Sequence, residues 1–242
     1  EGFEMGLEVE RADPVIIKKT GDSRWRPCGA YVDQTEHAPP EGYEKWSDWL
    51  QDWRFELDAM NSPNLELKAA LRDALADAAA EPGVRAVVLT GSGRAFCAGQ
   101  DLKEHVALLE QSAEDVWQTV PKHYTPIATS MATMAKPVVA AVNGIAAGAG
   151  ASLAFACDFR LTADTAAYNL AFSAIGLSAD TGSTWTLQRL VGYAKAIEML
   201  MLPSTIPAET ALELGLTHHV VPAADLGSAA AELAGRLAAG PT

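Results

Sequence analysis

Long hydrophobic runs are missing from this 242-residue chain. No stretch approaches the ~18 uncharged apolar residues that a membrane helix needs. Glu1 to Glu10 also lacks the basic-then-apolar layout of a secretory signal. The expectation is a protein without membrane association and, by default, a cytoplasmic one. Cysteine is scarce: Cys28, Cys97 and Cys157 are odd in number, far apart and without the close Cys/His pairs of zinc sites. Thiols and no structural metal are therefore expected. Positive charge is short as well, with 18 Lys+Arg against 31 Asp+Glu and a formal net charge of -13. That balance repels phosphate backbones, and no local basic patch offsets it, so nucleic acid is not an expected partner. A repeat of fixed period and a long Gly/Ser linker are also lacking.

What is present is enough apolar material for a sizeable core, with 49% hydrophobic and 20% charged residues. From Pro63 onward, short β-branched runs alternate with longer helical patterns, which predicts an α/β fold with buried strands. Ser62 and Pro63 form an N-cap and first-turn pair. They precede Leu67, Leu71, Leu75 and Ala78 on one helical face, with a stop at Glu81-Pro82-Gly83. Val84 to Thr90 and Pro137 to Val142 read as buried strands, each entering a glycine-containing loop and then a helix, and Phe159 to Ala163 is a third, weaker strand. Helices are expected over Ser183 to Leu190, Ala194 to Leu202, Pro207 to Leu214 and Ala223 to Ala238.

The composition changes near residue 58, so residues 1–58 are read apart, as an aromatic-rich segment with edge strands drawn from Leu7 to Lys19. Trp46, Trp49, Leu50 and Trp53 share a helical face there, which reads as packing against the main body or a neighbouring subunit. Residues 59–222 form the expected core, and 223–242 begin a helical C-terminal region that looks truncated.

Two loops follow the two best strands. One runs from Gly91 to Lys103 and the other from Asn143 to Ser152. Both place small residues where backbone must approach something closely. Neither is a dinucleotide fingerprint, because Phe96 and Leu153 stand where the third glycine belongs, and neither ends in the Gly-Lys-Ser/Thr of a phosphate loop. Two loops exposing backbone N–H groups, one opening a helix near Gly150, can converge on a developing negative oxygen.

Ala95-Phe96-Cys97-Ala98-Gly99-Gln100-Asp101-Leu102-Lys103 and Lys136-Pro137-Val138-Val139-Ala140-Ala141-Val142-Asn143-Gly144 closely resemble two signature stretches of the crotonase (enoyl-CoA hydratase/isomerase) superfamily. Cys157-Asp158 and Ala171 to Gly192 continue the likeness, which covers Ala59 to about Ala238. The resemblance implies a spiral of ββα units with a helical C-terminal region, a homotrimer or dimer of trimers, and an acyl-CoA substrate with no separate cofactor. It implies an oxyanion hole from the N–H groups of Ala98 and Ala149. CoA is then expected against Ala59, Met60 and the loop Ala98, Gln100, Asp101, Leu102 and Lys103. The acyl tail is expected near Phe172, Trp185 and part of the aromatic N-terminal segment.

Hydratases of this superfamily use two glutamates where this chain has Ser152 and Phe172. What remains is Asp180 in Gly176-Leu177-Ser178-Ala179-Asp180-Thr181-Gly182, a segment similar to ring-epoxide phenylacetyl-CoA isomerases and related enoyl-CoA isomerases. That similarity implies a catalytic base at Asp180, whereas its place before a helix starting near Ser183 is also that of a capping residue. Isomerisation of an enoyl-CoA, with epoxide ring opening as a variant, is the reading favoured over hydration. It is favoured also over a dehalogenase-like reaction, whose histidine would fall near Thr125, not on His123. From other classes come a serine hydrolase using Ser152, Asp180 and His218, and a non-catalytic acyl-CoA-binding protein.

Overall fold

A computed structural model describes residues 24–25, 28–32, 55–56, 60–111 and 117–240. The expected edge strands at Leu7 to Lys19, the Trp46 to Trp53 helix and Ala59 lie outside the described residues.

In chain order, strands β1 (Arg24–Trp25), β2 (Cys28–Val32) and β3 (Phe55–Glu56) come first. Helix α1 (Leu65–Ala80) leads into β4 (Val84–Thr90), β5 (Ala95–Cys97) and α2 (Leu102–Gln111). A widened π turn over Val120–Tyr124 runs into α3 (Thr125–Thr133). Next come β6 (Val138–Val142), β7 (Ile145–Ala147) and α4 (Ala149–Ala156), followed by β8 (Phe159–Ala163) and β9 (Ala167–Asn169). The rest is α5 (Ser183–Val191), α6 (Tyr193–Met201), β10 (Ile206–Pro207), α7 (Ala208–Glu213), β11 (His219–Val221) and α8 (Leu226–Ala238).

The strands divide by position within each unit. In the pairs β4/β5, β6/β7 and β8/β9 the first strand enters a five-stranded sheet in the order β11-β8-β6-β4-β2 and the second a four-stranded sheet in the order β10-β9-β7-β5, whereas β10 joins the four-stranded sheet and β11 the five-stranded one. Within the pairs β4–β6, β6–β8, β5–β7 and β7–β9 the strands are parallel, so the chain advances by one strand in both sheets with each turn. This is the crotonase spiral. Strand β6 is apolar and buried along its length, and β4 is buried except at Arg85 and Thr90, because helices pack against this sheet. Helix α8 lies across β4, β6 and β8 with Leu226, Ala230 and Ala234 buried.

Several expectations need adjustment. The N-cap of α1 is Asn64, not Ser62; its side chain accepts from Leu67 N–H at 2.9 Å. Ser62 and Pro63 belong to the preceding turn, where the Pro63 carbonyl accepts from Asp101 N–H at 3.3 Å. The edge of the five-stranded sheet comes from Cys28–Val32, antiparallel to β4. The residues set apart by composition therefore supply a strand of the core sheet. The signature Lys136 has a structural role: its ammonium meets the Ala78 and Glu81 carbonyls at the C-terminus of α1, where a cation complements the helix dipole. Asp158 holds the first N–H of β6, on Val138, at 2.8 Å.

Candidate active site

A cavity of about 560 Å³ lies between α2, the π turn and the loop before α5. Its wall contains Ala98 and Gly99 from one glycine-containing loop, Gly148 and Ala149 from the other, and Gln100, Leu102, Phe172 and Asp180. The two loops meet because neither carries bulk at the contact. Gly99 sits at φ +89, and a Cβ there would approach the Ala147 carbonyl oxygen to 2.9 Å. Gly148, at φ 51 and ψ -122, turns the chain so that Ala149 opens α4. The first N–H groups of a helix have no intrahelical acceptor and carry the positive end of its dipole, so Ala149 N–H is a donor aimed out of the helix.

Ala98 differs from that expectation. Its N–H donates to the Met60 carbonyl at 3.1 Å. Met60 and Asn61 both adopt left-handed conformations, at φ 54 and 63, which carries the chain over the loop. Asn61 is the anchor that makes this turn: its buried carboxamide nitrogen donates to the carbonyls of Ala95 at 2.6 Å, Phe96 at 3.1 Å and Ser92 at 3.1 Å. Asn143 braces the same loop by accepting from Gly91 N–H at 2.9 Å and donating to Gly93 and Ala95 carbonyls, each at 3.0 Å. Asn143 stood in a signature stretch, but Asn61 was missed, and an asparagine just before a Ser-Pro was its available signal.

Asp180 is the one carboxylate among the described residues on the cavity wall. It does not cap α5: the N-cap is Gly182, without any side-chain cap bond, and Asp180 contributes its main-chain carbonyl to Ser183 N–H at 3.0 Å. Its Oδ1 instead accepts from the Thr181 hydroxyl at 2.7 Å. Thr181 is buried at φ 53, a region that costs a β-branched residue energy, so the chain is strained at the point that presents the carboxylate. Burial raises the Asp180 pKa above the ordinary carboxylate value, and the Thr181 hydrogen bond opposes this in part.

The remaining expected residues divide. Asp101 and Lys103 are off the cavity wall; Asp101 Oδ1 accepts from Lys103 and Glu104 N–H groups and so caps α2. Met60 lends its carbonyl to Ala98 and is not on the wall. Trp185 is 56% exposed and absent from the wall, with the Arg189 guanidinium stacked 3.8 Å from its ring. A tryptophan one turn into α5 points away from a site formed by the loop before that helix.

Ser152 is fully buried inside α4, and its hydroxyl donates to the Gly148 carbonyl at 3.2 Å. His218 Nδ1 accepts from Arg160 N–H at 3.2 Å. The strand-to-helix elbow that a nucleophilic serine requires is absent at this position. Residues not foreseen on the wall include Val106, Leu109, Trp117 and Tyr124. Leu102, Val106 and Leu109 fall on one face of α2, a stripe that helical spacing makes readable. Among the described residues no helix is long and apolar enough to cross a membrane.

The sequence comparisons agree with this geometry. Residues 55–242 match the Enoyl-CoA hydratase/isomerase family profile. The 1,2-epoxyphenylacetyl-CoA isomerase of Escherichia coli (strain K12) is 40% identical over 185 residues, which are 76% of this chain and 71% of that protein. A 4-chlorobenzoyl coenzyme A dehalogenase of an Arthrobacter species is 34% identical over 182 residues, 75% of this chain and 66% of the relative. The crystal structure of an enoyl-CoA hydratase from Bacillus anthracis superposes with a TM-score of 0.67 at 36% identity, covering 75% of this chain and 69% of that one. The signature loops, the spiral that brings them together and the extent of these matches show that the chain belongs to the enoyl-CoA hydratase/isomerase family, the crotonase superfamily.

Proposed function

We propose that the protein isomerises an enoyl-CoA with an apolar acyl group, using Asp180 as the base. The Asp180 carboxylate takes a proton from C2 of a 3-enoyl-CoA. The C2 electron pair conjugates with the thioester and the double bond, and the same proton returns to C4 to give the 2-enoyl-CoA. Nothing is oxidised or reduced, and the atoms balance without a further reactant. Opening of a ring epoxide is a variant that starts from the same enolate chemistry.

The thioester oxygen gains charge in this reaction, and Ala149 N–H is the donor best oriented to meet it. Ala98 N–H serves as the second donor by sharing its hydrogen between that oxygen and the Met60 carbonyl, as three-centre bonds allow. One preorganised donor of this kind lowers a barrier by about 3 to 4 kcal/mol. CoA would follow the loop from Gln100 to Lys103, where exposed Lys103 supplies positive charge in an acidic protein.

The observation that carries the proposal is that Asp180 faces an apolar cavity while its carboxylate is not engaged in capping. A base with a raised pKa is better matched to proton transfer near neutral pH. Hydration lacks this kind of support, because Ser152 is sealed inside α4 and Phe172 occupies the second carboxylate position. A panel of acyl-CoAs followed by mass spectrometry and absorbance tests the reading. Isomerisation leaves the mass unchanged and adds conjugated-thioester absorbance. Addition of water, release of free CoA, or failure of the wild-type protein to bind acetyl-CoA at millimolar concentration would each count against it.

A further inference from the structure

Lys68 stands on the inward face of α1, with Leu71, Leu75 and Ala78, and is fully buried although lysine is seldom buried. An ammonium offers three donors and no acceptor, and all three are used here. They meet Gln100 Oε1 at 3.2 Å, Glu104 Oε1 at 3.2 Å and the Thr119 hydroxyl at 3.0 Å. These acceptors belong to three different stretches: the loop carrying Ala98, helix α2, and the segment entering the π turn. Between them those stretches form much of the cavity wall, with Val106 and Leu109 on α2 and Val120 and Tyr124 on the π turn.

Burying an ammonium is unfavourable unless its partners are held in place, and desolvation does lower the Lys68 pKa despite Glu104 beside it. The local structure concedes more than that. Because Lys68 can only donate, Gln100 must turn Oε1 toward it, and the Tyr124 hydroxyl donates to the same oxygen at 2.7 Å. That orientation leaves Gln100 Nε2 buried without a partner among the described residues. A side chain optimised for stability alone would satisfy both ends of the amide. Glu104 is doubly committed, since its other oxygen accepts from Leu65 N–H at 2.8 Å and so ties α2 to the start of α1.

We infer that Lys68 is a positioning residue that sets the width and polarity of the acyl cavity, and through it the choice of acyl group. By drawing Gln100 Oε1 and the Tyr124 and Thr119 hydroxyls into one hydrogen-bonded cluster, it commits these wall atoms to one another and fixes the spacing between α2 and the π turn. The cavity is thereby left as a slot of defined width for a hydrocarbon chain or ring. This rests on the acyl-CoA reading above, and Lys68 itself touches no part of the substrate.

The test compares dissociation constants for octanoyl-CoA and acetyl-CoA by calorimetry in the wild type, Lys68→Met and Lys68→Arg, with melting temperatures alongside. One methylene in an apolar pocket discriminates by about 10- to 200-fold, so a loosened wall should show as a loss of at least about tenfold in the octanoyl preference. The expected result is that Lys68→Met loses this preference while acetyl-CoA binds within a few-fold of wild type, and that Lys68→Arg restores part of it. If Lys68→Met does not fold, Thr119→Val removes one tie without stranding a charge and should lower the same preference by a smaller factor. A fall in melting temperature with the octanoyl preference unchanged would make Lys68 purely structural and overturn the inference, as would equal losses for both ligands. Wild-type protein that binds neither ligand sinks the acyl-CoA reading itself.

Discussion

Asp180 carries a charge where the fold disfavours one. Its pKa is raised by burial above the ordinary 3.8, so the folded state holds a proton over a pH range in which the unfolded chain has released it. Stability linked to this group is therefore present below pH 3.8 and is lost as pH rises through the folded pKa. At neutral pH the buried carboxylate is a burden that an amide lacks. Asp180→Asn should melt at a higher temperature than wild type at pH 7, and the difference should vanish on acidification below the ordinary carboxylate value. A variant less stable than wild type at pH 7 would indicate that the carboxylate has stabilising partners. Ser152 gives the opposite expectation. Its hydroxyl bonds within its own helix, so Ser152→Ala should cost about 1 kcal/mol at most and retain substantial activity. Stoichiometric labelling of Ser152 by a fluorophosphonate probe would contradict this.

At the scale of elements, the site depends on how two loops are braced. Asn61 reaches three carbonyls of the first loop with the two hydrogens of one carboxamide nitrogen while holding a left-handed conformation that asparagine tolerates and alanine resists. Asn61→Ala should cost about 2 kcal/mol or more, since it removes a donor from the buried Phe96 carbonyl and strains the backbone together. Because the Ala98 loop would shift, turnover should fall with it, and chemical denaturation alongside steady-state kinetics measures both. Denaturation unchanged from wild type would mean that the turn is held by something else.

These elements were unequally legible in the sequence. Strands β4, β6 and β8 and helix α1 announce themselves through apolar runs and a Leu/Ala face, and their observed limits differ from the sequence reading by two residues at most. The second strands of each unit, Ala95–Cys97, Ile145–Ala147 and Ala167–Asn169, are three residues long and give no period to detect. That Ala98, Ala149 and Asp180 would line one cavity was readable because particular residues resemble family signatures. The Lys68 cluster was not, because a lysine on an amphipathic helix normally signals its solvated side, and burial there is set by residues distant in sequence.

At the scale of the whole molecule, a central strand of the core sheet is covered by the last of the described helices. Helix α8 packs on β4, and the Arg85 guanidinium donates to the Gly240 carbonyl at 2.7 Å. Parallel strands joined by long crossovers gain stability only when distant parts of the chain meet, so the sheets and α8 should unfold together. Ending the chain at Asp225 should abolish the cooperative thermal transition by exposing the apolar faces of β4, β6 and β8. A truncated protein that melts like wild type would show that α8 is an appendage.

The proposed function turns on one chemical act, the removal of a proton from C2 of a bound acyl-CoA by Asp180. Deuterium exchange at C2 of a saturated acyl-CoA, followed by mass spectrometry, isolates that act from any later step. Asn keeps the shape of Asp but is no base, and general base catalysis typically contributes ~100- to 10,000-fold. Wild-type protein should exchange the C2 hydrogens, and folded Asp180→Asn should do so slower by a factor in that range. Exchange that persists at the wild-type rate in Asp180→Asn would contradict the assignment.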